Sequence, residues 1–411
     1  MWRSLPSAAR VLLAVRTLNA LGAYALSFLA VLAGADLAAA ALALFGGGAL
    51  LSRWAGAFLL DRFSPRGVLT AGLAATGSAL ILLALARGPV QVLTAVTLVG
   101  LAFEVYEPAS QELLARASSG ERRHATYAML GVTLSAAGAA AGLLAAVLLP
   151  LGVRWLVAVD ALTCLVAAVV AAAFLPRDDV RPHRRPDLQS DDRPHRQHDV
   201  RSGLQTHRRA DVRRGGLRDR LRRKAARRWR PPAALVRLTV AGTAFAVGTL
   251  AVMMYLPMAL LERGAPAWLP GLTLSGAAAL APPALWAARG LLAGRSHGVI
   301  LGTGTLLLGV LALGMASATS VPLTVTAYLG CAVATSVLLG RWQAAVADAA
   351  PEEERPRWFA FQGSSWGVAQ PVVPPLAALA GTIAGAVGAG AFLTAGVAFL
   401  AVPLVLRRLT A

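Results

Sequence analysis

Apolar runs of about twenty residues, separated by short polar breaks, dominate the chain. That length is what an α-helix needs to cross the hydrocarbon core of a bilayer. Twelve such helices are predicted. Six lie at 11–33, 37–57, 68–86, 90–112, 126–149 and 154–175, and six at 234–260, 267–288, 298–318, 321–342, 358–382 and 385–406. The alternating pattern of a membrane β-barrel is not found. Between the two sets the pattern inverts, and residues 176–231 run through Arg, Asp, His, Pro and Gln with few apolar side chains before Leu217. Such a segment buries too little surface to offset its chain entropy and is expected to be mostly disordered. Leu217, Leu221, Ala225 and Trp229 then recur every four residues among arginines, which predicts a basic amphipathic helix near 217–229 lying on anionic lipid. The chain thus divides into an N-terminal six-helix bundle over 1–175, a basic cytoplasmic linker over 176–231 and a C-terminal six-helix bundle over 232–411.

Composition sharpens the class. Of 411 residues, 57% are hydrophobic and 14% charged, against roughly 25% charged in soluble domains. A soluble chain this apolar would expose large sticky patches, so an all-α integral membrane protein is expected. Two cysteines, Cys164 and Cys331, lie in apolar runs and exclude a disulfide framework or a cysteine-based metal site. The net charge of +19 is concentrated in 176–231, which holds 19 of the 39 basic and 8 of the 20 acidic residues. With aromatics at 6%, nothing supports a nucleic-acid partner. Four of the six histidines (His183, His195, His198, His207) also fall in the linker, irregularly spaced, which fits a solvated segment better than a metal tract. Lys224 is the one lysine, a bias that with the Ala and Gly excess suggests a GC-rich, bacterial genome.

Charge also orients the chain. With the N-terminus inside, the inner short loops and tails carry fifteen arginines, and the outer loops carry only Arg87, Arg154 and Arg263. Cytoplasmic termini are therefore expected, in a bacterial inner membrane. The first apolar run is long enough to span and no small-residue cleavage site follows it, so it is expected to stay as an anchor. An internal repeat emerges at an offset of about 233 residues in this sequence: Glu121-Arg122 falls on Glu354-Arg355, and Asp61-Arg62 on Gly294-Arg295.

Twelve spans, a long central loop and a 6+6 repeat resemble the major facilitator superfamily over essentially the whole chain. Its most specific mark, a Gly-x-x-x-Asp-Arg-x-Gly-x-Arg loop after the second helix, reads here Ala57-Phe58-Leu59-Leu60-Asp61-Arg62-Phe63-Ser64-Pro65-Arg66. Asp61, Arg62 and Arg66 match, Ala57 and Ser64 replace the glycines, and only Gly290 and Arg295 survive in the second half. The resemblance implies that this loop is a gate, in which Asp61 pairs with neighbouring arginines in one conformation and releases them in the other. Phe103-Glu104-Val105-Tyr106-Glu107-Pro108-Ala109-Ser110, followed by Gly120-Glu121-Arg122-Arg123, looks like bacterial multidrug-efflux members. The Gly-Pro of the antiporter pattern is replaced by Gly138-Ala139-Ala140-Ala141-Gly142.

Charges inside a span need a reason. Glu104 and Glu107, at i and i+3, are expected on one side of the fourth helix, with Arg16 and Asn19 of the first helix at similar depth. Two roles stay open: Glu107 or Glu104 carries a coupled proton tuned by Arg16, or a structural Arg16–Glu pair joins the helices. Asp160 is expected to pair locally with Arg154. Asn19, Tyr24, Tyr255, Trp366 and Gln370 are candidate substrate contacts. Taken together, the resemblance implies a monomeric secondary transporter exporting a small amphipathic molecule by proton antiport, with no cofactor, no metal and no catalytic residues. Nutrient uptake by facilitated diffusion and a non-transporting sensor or scaffold are the competing readings. No Walker-type loop and no nucleophile cluster point to an ATPase or an enzyme.

Overall fold

A computed structural model describes residues 5–117, 121–176, 232–292, 294–351 and 355–407. The linker with its amphipathic stretch and anionic-lipid contact, and the side chains of Arg122, Arg123 and Tyr127, lie outside that description. The described residues form helices without strands. The bundle helices are α1 (Ser7–Ala33), α2 (Ala35–Leu60), α3 (Pro65–Leu85), α4 (Pro89–Ala117), α5 (Glu121–Leu148) and α6 (Val153–Phe174). After the linker follow α7 (Ala233–Glu262), α8 (Leu269–Leu291), α9 (His297–Ser317), α10 (Val321–Ala349), α11 (Arg355–Ala384) and α12 (Val387–Leu406). Eleven are long and apolar enough to cross a membrane; α8 is the exception, its apolar run diluted by Pro270, Pro282 and Pro283.

Six helices alternate in direction within each half, so the described ends of a half lie on one face; it is the same face for both halves, since the end of α2 meets the start of α11, and it is called the terminal face below. The repeat is visible as matched elements. Helices α3 and α9 start 232 residues apart, as do α4 and α10, while α5 and α11 start 234 apart. Ser64 and Ser296 cap α3 and α9 alike, their side chains accepting from the amides of Gly67 and Val299. Large apolar side chains are exposed around the outside, including Leu51, Phe174 and Ile383, as lipid contact requires. Trp54 and Trp286, 74% and 75% exposed, stand near the terminal-face ends of α2 and α8, and Trp155 and Trp268 mark the other rim. Indoles at both rims are the pattern of membrane interfaces.

Two helices are broken where sequence predicts continuity. In α1 the α-helical turns stop at Gly22, and Ala23–Phe28 continues as a 3-10 segment before Leu29–Ala33. In α4 the break falls at Glu104–Val105, because Pro108 has no amide to give the Glu104 carbonyl and its ring crowds that carbonyl. The freed carbonyl accepts instead from the Glu107 amide at 3.2 Å.

Within the N-terminal half α3 packs on α6, α1 on α6 and α2 on α4; within the other half α12 packs on α7, α9 and α11. The halves meet through α5 against α8, α2 against α11, and the 3-10 segment of α1 against α7. The α5–α8 crossing is close because glycines face it: a methyl on Gly142 would lie 2.4 Å from the Ser275 amide nitrogen, and one on Gly271 2.3 Å from that of Ala146. Ser275 Oγ crosses the seam to donate to the Ala139 carbonyl at 2.8 Å. Gly142→Val should therefore destabilise the protein by about 1–3 kcal/mol. Gly131→Val, with open space around the added carbon, should not. Unfolding midpoints of the two variants in one detergent measure the difference.

Candidate functional site

The break in α4 turns its two carboxylates to different neighbours. Glu107 accepts from Arg16 Nη1 of α1, and Gln111 Nε2 donates to its other oxygen at 2.9 Å. Glu104 accepts from Arg53 of α2, through Nε and, at 2.8 Å, through Nη2. The expectation that both carboxylates share one side near Arg16 is thus corrected, since the unwound turn separates their directions. Ser52 Oγ accepts from the Glu104 amide at 3.1 Å and so ties α2 to the unwound turn. Asn19 Nδ2 donates to the Tyr106 hydroxyl at 2.8 Å.

Arg53 also reaches across the seam. Its Nη1 donates to the Gly363 carbonyl of α11 at 3.0 Å, so one guanidinium ties Glu104 to the opposite half. This contact lies towards the terminal face, whereas the α5–α8 crossing lies towards the other. Arg53 is one of the fifteen arginines counted with the inner loops and tails; its place about two turns before the end of α2 was the signal for a partner inside the bundle.

Between these contacts is a cavity of about 190 Å³, lined by Tyr24 of α1, Thr249, Val252 and Met253 of α7, Ala277 of α8, and Phe399 of α12. The remaining wall is α10, with Tyr328, Cys331, Ala332, Thr335, Ser336 and Leu339. No charged side chain is among the lining residues. Of the candidate substrate contacts, only Tyr24 lines this space. Asn19 lines a separate cavity of about 70 Å³ inside the N-terminal half, with Thr76, Tyr106, Asp160 and Cys164. Tyr255 is 0% exposed, its hydroxyl has no hydrogen-bond partner among the described residues, and it packs in the core rather than along this cavity. Trp366 meets Phe245 edge-on at 6.5 Å, in an aromatic cluster with Trp342 and Phe399. Gln370 is half-buried, and its backbone and that of Pro371 stand against Gly46 of α2, where a methyl would come within 2.6 Å.

A family profile described as the Major Facilitator Superfamily matches residues 12–298. The chain belongs to that superfamily. Solved structures agree on the fold: a peptide transporter POT mutant in complex with alafosfalin has a TM-score of 0.72 at 15% identity, covering 98% of this chain and 94% of that one. A POT family transporter in complex with 5-aminolevulinic acid gives 0.72 at 13% identity, covering 98% and 96%. A mutant of the nucleoside transporter NupG gives 0.71 at 9% identity, covering 98% and 100%. No curated protein sequence matches the chain significantly.

The Asp61–Arg66 loop takes a particular arrangement here. Arg62 lies over the Phe58 ring at 4.2 Å, and Arg66 donates to the Ala172 carbonyl of α6. Asp61 is exposed and makes no ion pair with a described residue. In the second half Gly290 ends an exposed helical turn and Arg295 is exposed, while His297 at the start of α9 pairs with Asp348 of α10 at 3.0 Å. The expected Arg154–Asp160 pair is absent too, because Arg154 Nη1 donates to the carbonyls of Ala84, at 3.0 Å, and Ala86.

Arg53→Met leaves Glu104 without its cation and should cost about 2–3 kcal/mol, short of a fully enclosed pair because Arg53 is 37% exposed. Arg53→Met combined with Glu104→Leu should recover most of that loss, and unfolding midpoints of the two singles and the double give the coupling. Tyr255→Phe, which removes an unpartnered hydroxyl, should be neutral or stabilising by about 1 kcal/mol in the same assay.

Proposed function

We propose that this superfamily member is a secondary transporter that carries a small organic molecule across the bacterial cytoplasmic membrane, its two halves opening alternately around the cavity between α1, α7, α8, α10 and α12. Termini on the cytoplasmic side follow from the arginine asymmetry, and a working monomer suffices. The reading rests on one observation above all: the cavity is walled by residues from both halves, Tyr24 from one and Thr249, Tyr328, Thr335 and Ser336 from the other. A ligand bound there feels any relative motion of the halves.

The lining also selects the ligand. Three aromatic rings (Tyr24, Tyr328, Phe399) and a few hydroxyls suit an amphipathic, ring-bearing molecule with one or two hydrogen-bonding groups. A dipeptide or other zwitterion would want fixed charges for its termini, and the arginines and glutamates nearby are spent on each other. That argues against carrying over the substrates of the peptide-transporter neighbours. An uncharged substrate such as a nucleoside remains compatible with the lining.

Export in exchange for protons is the direction we favour, on the resemblance of the helix 4 stretch to multidrug-efflux members. The proton gradient would then be the energy source, with Glu107 or Glu104 exchanging its arginine for a proton. Uptake or facilitated diffusion is the second reading, supported by the Gly138–Gly142 stretch without proline.

Purified protein in proteoliposomes under an imposed pH gradient separates these. Neutral and cationic ring-bearing dyes, a nucleoside and a dipeptide form the panel. Gradient-driven movement of the dyes, weakened in Glu107→Gln, is expected; movement indifferent to the gradient and to that substitution would establish facilitated diffusion. Tyr24→Ala and Tyr328→Ala should each raise the half-saturating concentration about tenfold, or ~1.4 kcal/mol. If neither changes it, the substrate binds elsewhere.

A further inference from the structure

Asp160 of α6 is 4% exposed, and it is the only carboxylate in the buried class among the described residues. No described cation pairs with it. An ionised carboxylate enclosed without a cation costs far more than a neutral one. No other charged side chain lines its cavity, whose largely apolar wall carries the polar atoms of Asn19 of α1, Thr76 of α3, Tyr106 of α4 and Cys164 of its own helix, and Gly22 of α1 stands against it. Titratable groups stand on its own helix and on the elements packed against it. Helix α1 brings Arg10, Arg16 and Tyr24, α3 brings Arg66, α4 brings Glu104, Tyr106, Glu107, Glu112 and Arg116, its own helix brings Arg154 and Cys164, and Met129–Leu148 of α5 brings none. Arg16 is held by Glu107 and Arg66 by Ala172.

The hydrogen bonds around Asp160 have a direction. Asn19 gives its amide to Tyr106 at 2.8 Å, and its carbonyl oxygen stands 3.3 Å from Cys164 Sγ. Cys164 Sγ is also 3.7 Å from Asp160 Oδ1. A thiol has one proton. Given to Asn19, the shorter contact, it leaves the Asp160–Cys164 contact satisfied only when the carboxyl brings its own.

Asp160 also touches the hinge of α1. A methyl at Gly22 would lie 2.2 Å from Oδ1 and 2.6 Å from Thr163 Oγ1, and the next residue opens the 3-10 segment Ala23–Phe28. That segment carries Tyr24 into the central cavity and packs on α7 of the other half. We propose that Asp160 is a proton-carrying site of the transporter: it holds a proton in the arrangement described here and sets the α1 hinge according to whether that proton is present. In the release step the carboxyl O–H bond breaks, its electron pair stays on the carboxylate, and the proton passes to solvent water entering the 70 Å³ cavity, which is large enough to admit it. The charge left against Gly22 then favours an α1 position that exposes it to water or to Arg16. The central cavity and the seam with α7 move with that segment. This deepens the proton-coupled reading above and rests on it.

Infrared spectroscopy of the purified, folded protein at neutral pH tests the protonation, and gradient-driven dye transport tests the coupling. The wild type should show the carbonyl stretch of a protonated carboxylic acid. Asp160→Asn should lose it, Glu107→Gln should keep it, and Cys164→Ala should shift its frequency. Asp160→Asn should also bind dye but move it at the rate seen without a gradient. A band unchanged in Asp160→Asn, or gradient-driven transport at full rate in that variant, overturns the inference. Should Asp160→Asn fail to fold, a band of unaltered frequency in Cys164→Ala overturns it instead. Wild-type transport indifferent to the gradient overturns the coupling reading itself, and the carrier role with it. Gradient-driven wild-type transport with no Asp160 band overturns this inference alone.

Discussion

Pro108 cannot donate to the carbonyl of Glu104, and its ring crowds that carbonyl, and α4 unwinds there, part-way along its span. Much of the polar architecture of the N-terminal half depends on that turn. Were α4 continuous, Glu104 and Glu107 would stand one above the other and compete for one cation. With the turn opened, Glu107 reaches Arg16 while Glu104 reaches Arg53. Ser52 accepts from the Glu104 amide beside the break. Backbone left free at this depth is tolerated because it faces protein rather than lipid.

Glu104 and Glu107 are thus each balanced by an arginine, and the balance is distributed unevenly across the seam. Arg53 is shared between Glu104 in its own half and a carbonyl of α11 in the other. Arg16 stays within one half. Separation of the halves at α2–α11 would thus cost one hydrogen bond to a charged donor without stranding a charge, since Glu104 would retain its arginine. Glycines bring backbones together on both sides of the seam, Gly46 against Gln370 and Pro371 at α2–α11 and Gly142 and Gly271 at the α5–α8 crossing.

The fold was legible in the sequence because its signal is coarse: a run of about twenty apolar residues allows few alternatives in a bilayer. Errors arose where one residue altered a helix. The expectation of Glu104 and Glu107 side by side assumed a regular helix through Pro108. Arg154 was paired with Asp160 on sequence proximity, yet it bonds carbonyls at the end of α3. Tyr255 and Trp366 could not be separated from Tyr24 by residue type, because which face of an apolar helix meets a cavity is decided by tertiary packing. Arg16 was read more accurately, since a cation deep in an apolar run must find a carboxylate and α4 offered one at its depth. The cavity wall on α10 left a faint trace, the adjacent Thr335-Ser336 in an apolar stretch.

The exposed indoles Trp54 and Trp286 occupy corresponding places in the two halves, near the same-face ends of α2 and α8. Each belongs at the headgroup level, where its ring meets lipid tails and its N–H meets water. Together they fix a common waterline for both halves. A vertical slide of one half against the other, as in an elevator, would pull one indole into the hydrocarbon or out into solvent. Tilting about a line between the two leaves both at their depth.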